Sequence, residues 1–553
     1  MQPVIPPTLT AQAVDYVNAP PGESHAVRTG PASPARNADR SSEGISNHRH
    51  ADSVRRERKR VTIVGAGVGG LACAIDLAAR GLDVTVLERA ASPGGKMREV
   101  EVGGARIDAG PTVFTMRWVF EELFERAGRS FAADVQVHKA EVLARHAWST
   151  DERLDLFADP ARSADAIGRL SGAAEAKRFL QFCESARDIY TTLERPFLRG
   201  SRPNPVSLVT RAGVRGLGGL WRIRPFATMW QALGDHFHDP RLRQLFGRYS
   251  TYCGASPYQA PATLMLVAHV EQDGVWLVDG GMHRLAQVLA ETARGAGATL
   301  RYGTEVRSIT TDGRGVRAVE TANGERIEAD AVVVNADASA LGTGLFGEDL
   351  RKATPATPPA ARSLSAMTWL LSARTQGFPL SRHNVFFSRD YRAEFDAIFR
   401  DRRTPDEPTV YVCAQDRDDI GNMATPGPER MLCLVNAPAT GDRDSYPPER
   451  VRAVEQAAFA VLSRCGLDVD LAGGAGTCVT PTDFHRLFPA TGGALYGRAS
   501  HGWLASFQRP GARTRVPGLY LAGGSTHPGP GVPMAALSGA QAAQAVLIDL
   551  GVK

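Results

Sequence analysis

The sequence predicts an α/β protein in which a discontinuous dinucleotide-binding domain is interleaved with a second domain. Three observations predict it. A strand, glycine loop, helix and strand follow one another between Val61 and Glu88. A second run of helix and strand patterns appears far downstream, from about Met282 to Asn335. The chain has 553 residues, more than one hydrophobic core normally serves.

Composition narrows the class. Hydrophobic residues make up 43% and charged residues 22%, as in globular proteins, and a net charge of +5 is too small at this length to mark a nucleic-acid partner. The seven cysteines (Cys73, Cys183, Cys253, Cys413, Cys433, Cys465 and Cys478) are odd in number and never in a CxxC pair, which predicts reduced packing thiols. No metal is expected, and there is no nucleophile elbow.

Residues 1–59 are rich in Pro, Ser, Ala and Arg, lack apolar periodicity and run into RRERKR at Arg55–Arg60. They predict a disordered extension with a solvated linker. No apolar signal core is present, and Asp15, Glu23, Asp39 and Glu43 argue against a transit peptide, so no signal peptide is expected.

Ordered structure begins at VTIVGAGVGGLACAIDLAARGLDVTVLERA. Val61, Ile63 and Val64 make a short buried strand. Gly65, Gly67 and Gly70 complete G-x-G-x-x-G, with Ala66 and Gly69 between them, and Leu71, Ala74, Ile75 and Ala78 recur at helical spacing as far as Gly81. The tight turn needs Gly65, close approach of backbone to a pyrophosphate needs Gly67, and close packing of helix on sheet needs Gly70. The free N–H groups of the helix N-terminus then face phosphate. Glu88 ends the second strand, where a carboxylate accepts ribose hydroxyls and disfavours a 2′-phosphate.

Downstream, Arg89, the pair Gly94-Gly95, Lys96, Arg98 and Asp108-Ala109-Gly110-Pro111 replace the strand–helix alternation of an NAD dehydrogenase. This arrangement resembles the flavin-dependent amine oxidase and carotenoid desaturase superfamily. The resemblance implies a Rossmann-type FAD-binding domain of the amine oxidase type, with the GG segment and the D-x-G-P turn wrapping an extended FAD. Residues 282–335 read as a helix over Met282–Arg294 and strands near 299–302, 306–310, 316–321 and 331–335. By resemblance, the Val306 backbone lies near the adenine and VVVNAD returns to the dinucleotide fold.

Two further segments carry the resemblance. GLYLAGGSTHPGPGVPMAALSGAQAA is similar to the C-terminal signature of bacterial phytoene-desaturase-type enzymes, and residues 254–289 resemble their central segment. Gly523 and Gly524 are thereby expected on the diphosphate side of FAD, and Val532, Pro533 and Met534 at a helix start pointing at its isoalloxazine end. SPYQAPATLMLVAHVEQDGVW and FPATGGALYGRASHGWLASFQRPG look most like hydroxyneurosporene desaturases of phototrophic bacteria. The implied activity is formation of a C3–C4 double bond in an acyclic 1-hydroxycarotenoid, with quinone or oxygen as electron acceptor. Phytoene desaturation and carotene isomerisation are the alternatives within the family, and a carotenoid carrier is a distant one. The implied domains are 60–134, 245–345 and 478–553 for FAD, and 135–244 and 346–477 for substrate.

Desaturation beside a polyene loses a hydride to flavin and a proton from the neighbouring carbon, so flavin carries the redox step while protein supplies position and dryness. His527 and Glu271 are the candidate proton acceptors. Asp273 and solvent are alternatives, and Trp276 is expected to pack on flavin or polyene. A long apolar substrate predicts a hydrophobic tunnel open to a bilayer. From Arg195 to Gly234 seven arginines occur without Asp or Glu, interleaved with Leu208, Leu217, Leu220, Trp221, Phe226, Met229 and Trp230. This predicts a helical, monotopic membrane-facing surface and peripheral attachment on the cytoplasmic side of the inner or intracytoplasmic membrane.

Overall fold

The computed structural model describes residues 58–211, 224 and 226–552. The N-terminal extension to residue 57 lies outside them, as do Leu217, Leu220 and Trp221 of the basic stretch.

A five-stranded parallel sheet has at its centre short runs of β-branched residues buried almost throughout, Arg60–Val64 and Ala331–Val334. Its spatial order is Leu519–Leu521, Ala331–Val334, Arg60–Val64, Asp83–Leu87 and Thr299–Arg301. In register, Val64 lies between Val334 and Leu87. The fingerprint strand is therefore central, at the point where the connections change direction and where open α/β sheets bind ligands.

One face of this sheet is covered by helices Val68–Ala79, Met282–Gly295 and Val532–Leu550, which pack through Leu71, Ile75, Leu285, Leu289 and Val546. The first and last of these helices approach so closely that a Cβ on Gly539 would fall 2.1 Å from the Gly69 carbonyl oxygen. The other face carries an antiparallel meander, Val306–Asp312, Gly315–Thr321 and Arg326–Glu328, packed through Val306, Ile309 and Val319 on Val64, Val332 and Val334. The expected strands of this region are found within two residues, and Arg326–Glu328 is an addition to them.

The second body is a seven-stranded sheet in the order Ala475–Val479, Ser365–Ala373, Glu429–Ala437, Val410–Ala414, His383–Phe386, Val142–Ala147 and Arg153–Phe157. Ala475–Val479 crosses the expected boundary at residue 478 and pairs with Ser365–Ala373. Helix Pro448–Arg464 covers one face of the sheet. Helices Pro160–Ser171, Ala173–Leu193, Met229–His236 and Pro240–Gly247 cover the other around Phe179, Phe182, Phe237 and Phe246.

Among the described residues, no helix is long and apolar enough to cross a membrane.

Candidate active site

A continuous cavity of about 1020 Å³ joins the two bodies. One part is lined by Gly65, Gly67, Gly69, Glu88, Arg89, Gly95, Lys96, Val306, Gly523 and Gly524, and further on by Gly110, Pro111, Val532, Pro533 and Met534. Tertiary structure thus brings the sequence-predicted cofactor residues to one wall. Ala66 and Gly70 stand just behind it, fully buried or nearly so.

The loop geometry explains the glycines. Gly65 has φ +101°, in the left-handed region, and a Cβ on Gly70 would lie 2.2 Å from the Gly65 carbonyl oxygen. Helix Val68–Ala79 consequently starts against the strand end with no side-chain cap on its first N–H groups. Helix Val532–Leu550 also starts without a side-chain cap, with Pro533 in its first turn. Two uncapped helix N-termini therefore open onto the same cavity.

Polar contacts brace this wall. Glu88 Oε2 accepts from the Ala66 N–H at 2.7 Å and Oε1 from the Ala90 N–H at 2.8 Å, leaving each oxygen a further lone pair. Val306 lies at the Glu88 end, since the Thr304 N–H donates to the Glu88 carbonyl at 2.8 Å. Arg89 donates to the carbonyls of Arg486 and Leu487. The Gly94 N–H donates to the Ala66 carbonyl at 2.9 Å, locking the GG segment to the fingerprint loop. Asn335 donates through Nδ2 to the Gly65 carbonyl at 3.2 Å.

Asp108 has a scaffold role that the motif alone does not reveal. Its carboxylate accepts from the N–H groups of Met282 (2.7 Å) and His283 (3.0 Å), capping the helix that follows Gly281, so the D-A-G-P turn and the GGMHRL segment are one construction. Gln415 exchanges two hydrogen bonds with the Asp108 backbone and ties both to the second sheet.

A flavin dinucleotide fits this cradle. Lys96 donates through Nζ to the Leu495 carbonyl at 2.5 Å, and Arg509, 2% exposed, donates to the carbonyls of Tyr496 and Arg498. Neither cation has a carboxylate within 4.0 Å among the described residues, while the buried Asp337 Oδ2 has no partner. Burial lowers the pKa of Lys96 and brings Arg509 down to about 10. Desolvated cations and an orphaned acceptor on the wall of a cavity are what an anionic, hydroxyl-bearing cofactor satisfies.

The rest of the cavity is apolar, walled by Leu193, Phe197, Leu208, Leu264, Val267 and Leu434. Within it lies a polar group that sequence reasoning missed apart from Glu271. Arg248 donates to the Tyr252 hydroxyl at 3.1 Å, and its guanidinium lies 5.3 Å from the ring centroids of both Tyr252 and Tyr411. The Tyr411 hydroxyl is held by Thr112 Oγ1 at 2.6 Å and His383 Nδ1 at 2.8 Å. Glu271, 6% exposed, meets the hydroxyls of Tyr249 and Tyr252, and burial raises its pKa.

The other candidates point elsewhere. His527 does not line the cavity. Its Nε2 meets the Gly200 carbonyl at 3.0 Å, its ring packs on Phe197, and burial lowers its pKa to about 4. Trp276, expected on flavin or polyene, instead belongs to a strand paired with Val137–Lys139, with Arg117 4.8 Å over its ring. Asp273 is exposed outside the cavity. In each case a neighbouring strand or helix sets a side-chain direction that the motif does not encode.

Residues 68–547 match the family of flavin-containing amine oxidoreductases. The chain is 56% identical over 493 residues to a hydroxyneurosporene desaturase of Rubrivivax gelatinosus, covering 89% of this chain and 94% of that one. It is 42% identical to the Cereibacter sphaeroides hydroxyneurosporene desaturase, covering 89% and 98% respectively. It is also 29% identical to a 1-hydroxycarotenoid 3,4-desaturase of a Flavobacterium species, covering 87% and 97%. Among solved structures, an oxidoreductase from Methanosarcina mazei (TM-score 0.55, 16% identity, 87% of this chain and 99% of that one) shares the fold. So does putrescine oxidase bound to putrescine (TM-score 0.54, 14% identity, 90% and 99%). With the fingerprint cradle, the second helix N-terminus and these matches together, the chain belongs to the flavin-containing amine oxidoreductases and, within them, to the carotenoid desaturases, with FAD as its cofactor.

Proposed function

We propose that the protein introduces a C3–C4 double bond into an acyclic 1-hydroxycarotenoid such as 1-hydroxyneurosporene, in carotenoid biosynthesis. The observation that carries this reading is the continuity of the cavity: a cofactor cradle opens directly into a long apolar space. The names of the relatives from Rubrivivax, Cereibacter and Flavobacterium support the substrate class.

When bound, FAD supplies a two-electron acceptor for the hydride leaving one of the two carbons, and quinone or oxygen takes the electrons onward. The chain's residues bind, orient and exclude water. Walls of Leu, Val and Phe hold the polyene dry, and conjugation spreads the developing positive charge, so no strong electrophile is required of them. The proton from the second carbon goes to Glu271 in this reading. Of the acidic residues on the cavity wall, Glu88 and Glu305 lie at the Val306 end and Asp337 caps the helix at Ala338, which leaves Glu271 among the apolar walls. A carboxyl raised by burial is a better-matched base near neutral pH. His527 is read as a structural member of its turn.

The substrate's apolarity extends the reading to peripheral attachment at the cytoplasmic face of a membrane. Val206 is 73% exposed and Phe226 65%, and Val209, Trp503 and Leu504 are also exposed. Phe226 and Trp503 pack edge to face at 5.2 Å, and both line the cavity with Val209. This apolar rim supports the reading better than charge does. Arg199 pairs with Glu122 and Glu194, Arg224 pairs with Asp235, and Arg202 and Arg211 donate to the carbonyls of Phe507 and Ser201.

The test is anaerobic mixing of the FAD-loaded enzyme with liposomes carrying 1-hydroxyneurosporene. Bleaching of the oxidised flavin band should match the formation of a pigment with one more conjugated double bond and two fewer hydrogens. Unbleached flavin or unchanged polyene length refutes the reading. Preference for phytoene, or isomerisation of poly-cis lycopene without bleaching, redirects it to those reactions.

A further inference from the structure

Arg248 is hard to account for as scaffold. It opens the 3-10 segment Arg248–Cys253 directly after helix Pro240–Gly247, and it lines a cavity otherwise walled by Leu, Val and Phe. Among the described residues no carboxylate lies within 4.0 Å of it, and its hydrogen bond goes to the Tyr252 hydroxyl. A guanidinium carries five donors, so most face the cavity or the two tyrosine rings. The Tyr252 and Tyr411 hydroxyls and, beyond 4.0 Å, the Glu271 carboxylate favour its charge, and the guanidinium donors that Tyr252 does not take remain on the cavity side for an acceptor on whatever occupies the space.

The location narrows that acceptor. Arg248 lies over Tyr411, whose hydroxyl is fixed by Thr112, and Thr112 directly follows Gly110 and Pro111 of the cofactor wall. The polar group therefore stands where the cofactor cradle meets the apolar space. In a 1-hydroxycarotenoid the C1 oxygen is attached two carbons from C3, so a group that holds this oxygen also sets the C3–C4 bond beside the cofactor. Resting on the substrate reading above, we propose that Arg248, steadied by Tyr252 and Tyr411, binds the C1 hydroxyl of the substrate and thereby selects hydroxylated carotenoids over the parent hydrocarbons.

Arg248 is thus a positioning and specificity residue, and its effect appears as a ratio. A hydrogen bond to a charged donor, together with the cost of leaving that donor unpaired, favours the hydroxylated substrate by about tenfold to 150-fold. The experiment compares kcat/KM on 1-hydroxyneurosporene and on neurosporene, for the FAD-loaded enzyme and for Arg248→Leu in the same liposomes. The wild type is expected to prefer the hydroxylated substrate. Arg248→Leu is expected to lose most of that preference, with kcat/KM falling more on 1-hydroxyneurosporene than on neurosporene.

An unchanged ratio in the variant overturns the proposal, and so does an equal fall on both substrates, which marks a structural role. If Arg248→Leu does not retain flavin, Arg248→Gln, a neutral side chain with a terminal donor, is read by the same ratio. A wild type that turns over neither substrate, or prefers neurosporene, refutes the substrate reading and this proposal with it. That outcome is recognised in the wild type alone, whereas failure confined to the variant's ratio refutes only the role of Arg248.

Discussion

Gly70→Ala tests the cofactor cradle most directly. The new Cβ would sit 2.2 Å from the Gly65 carbonyl oxygen, 3.0 Å from Asn335 Nδ2 and 3.1 Å from Asn335 Cβ. The nearest obstacle is backbone at the end of the central strand, where Gly65 itself donates to the Leu87 carbonyl at 2.8 Å, so it has little room to give. Relief requires helix Val68–Ala79 to move off the sheet, and that helix is also pressed from outside, where a Cβ on Gly539 would already meet Gly69. Overpacking of this kind costs about 1–3 kcal/mol. Displacement of the helix N-terminus from the phosphates passes much of that cost to binding, so affinity for FAD should fall by about 5-fold to 150-fold.

The matched control is Gly81→Ala. Gly81 has φ +80°, but a Cβ there would meet nothing within 4 Å, so the substitution costs backbone strain of about 1–2 kcal/mol without touching the cradle. Apoprotein of each variant is titrated with FAD, following quenching of flavin fluorescence, and circular dichroism verifies the fold. If folded Gly70→Ala binds FAD within about twofold of wild type, the claim that this close approach sets the phosphate site is wrong.

Three other outcomes follow from the same structure. Glu271→Gln should slow flavin reduction by carotenoid by about 10²- to 10⁴-fold while retaining FAD. In the wild type, the acid limb of that rate should lie above the ordinary glutamate range, because the base works only when ionised and burial has raised its pKa; the limb should vanish in the variant. Burial lowers His146 and His383 from 6.5 to about 3, and His501 and His527 to about 4. The unfolded chain therefore binds protons below pH 6.5 that the native state does not, and stability should fall between pH 6.5 and 4 by about 1.4 kcal/mol per pH unit for each histidine. Urea midpoints that stay level from pH 7 to pH 5 would contradict this. At the cavity mouth, Phe226→Asp with Trp503→Asp should lower co-sedimentation with liposomes without changing FAD content; undiminished binding would remove the rim from the membrane reading.

The nucleotide half of the site was legible because its signal is local. Strand, glycine loop, helix and acid follow one another between Val61 and Glu88, and steric demands on a short loop leave little choice of residue. The central and C-terminal motifs were legible as a family pattern, which joined Gly523 and Val532 to a cradle begun at Gly65, and the structure sets all three on one cavity. Local fingerprint and family pattern together therefore give the cofactor, the parallel sheet at its core and the elements that frame it. Which side chains line the apolar part of the cavity depends on packing between distant segments. Thr112, the Arg248–Tyr252 pair, Glu271 and Tyr411 come from separate segments and meet through sheet pairing and helix packing. The same packing turned His527 toward Gly200, Trp276 toward Arg117 and Asp108 onto a helix N-terminus. Local periodicity records which face of an element is apolar, whereas a side chain's partner depends on long-range register.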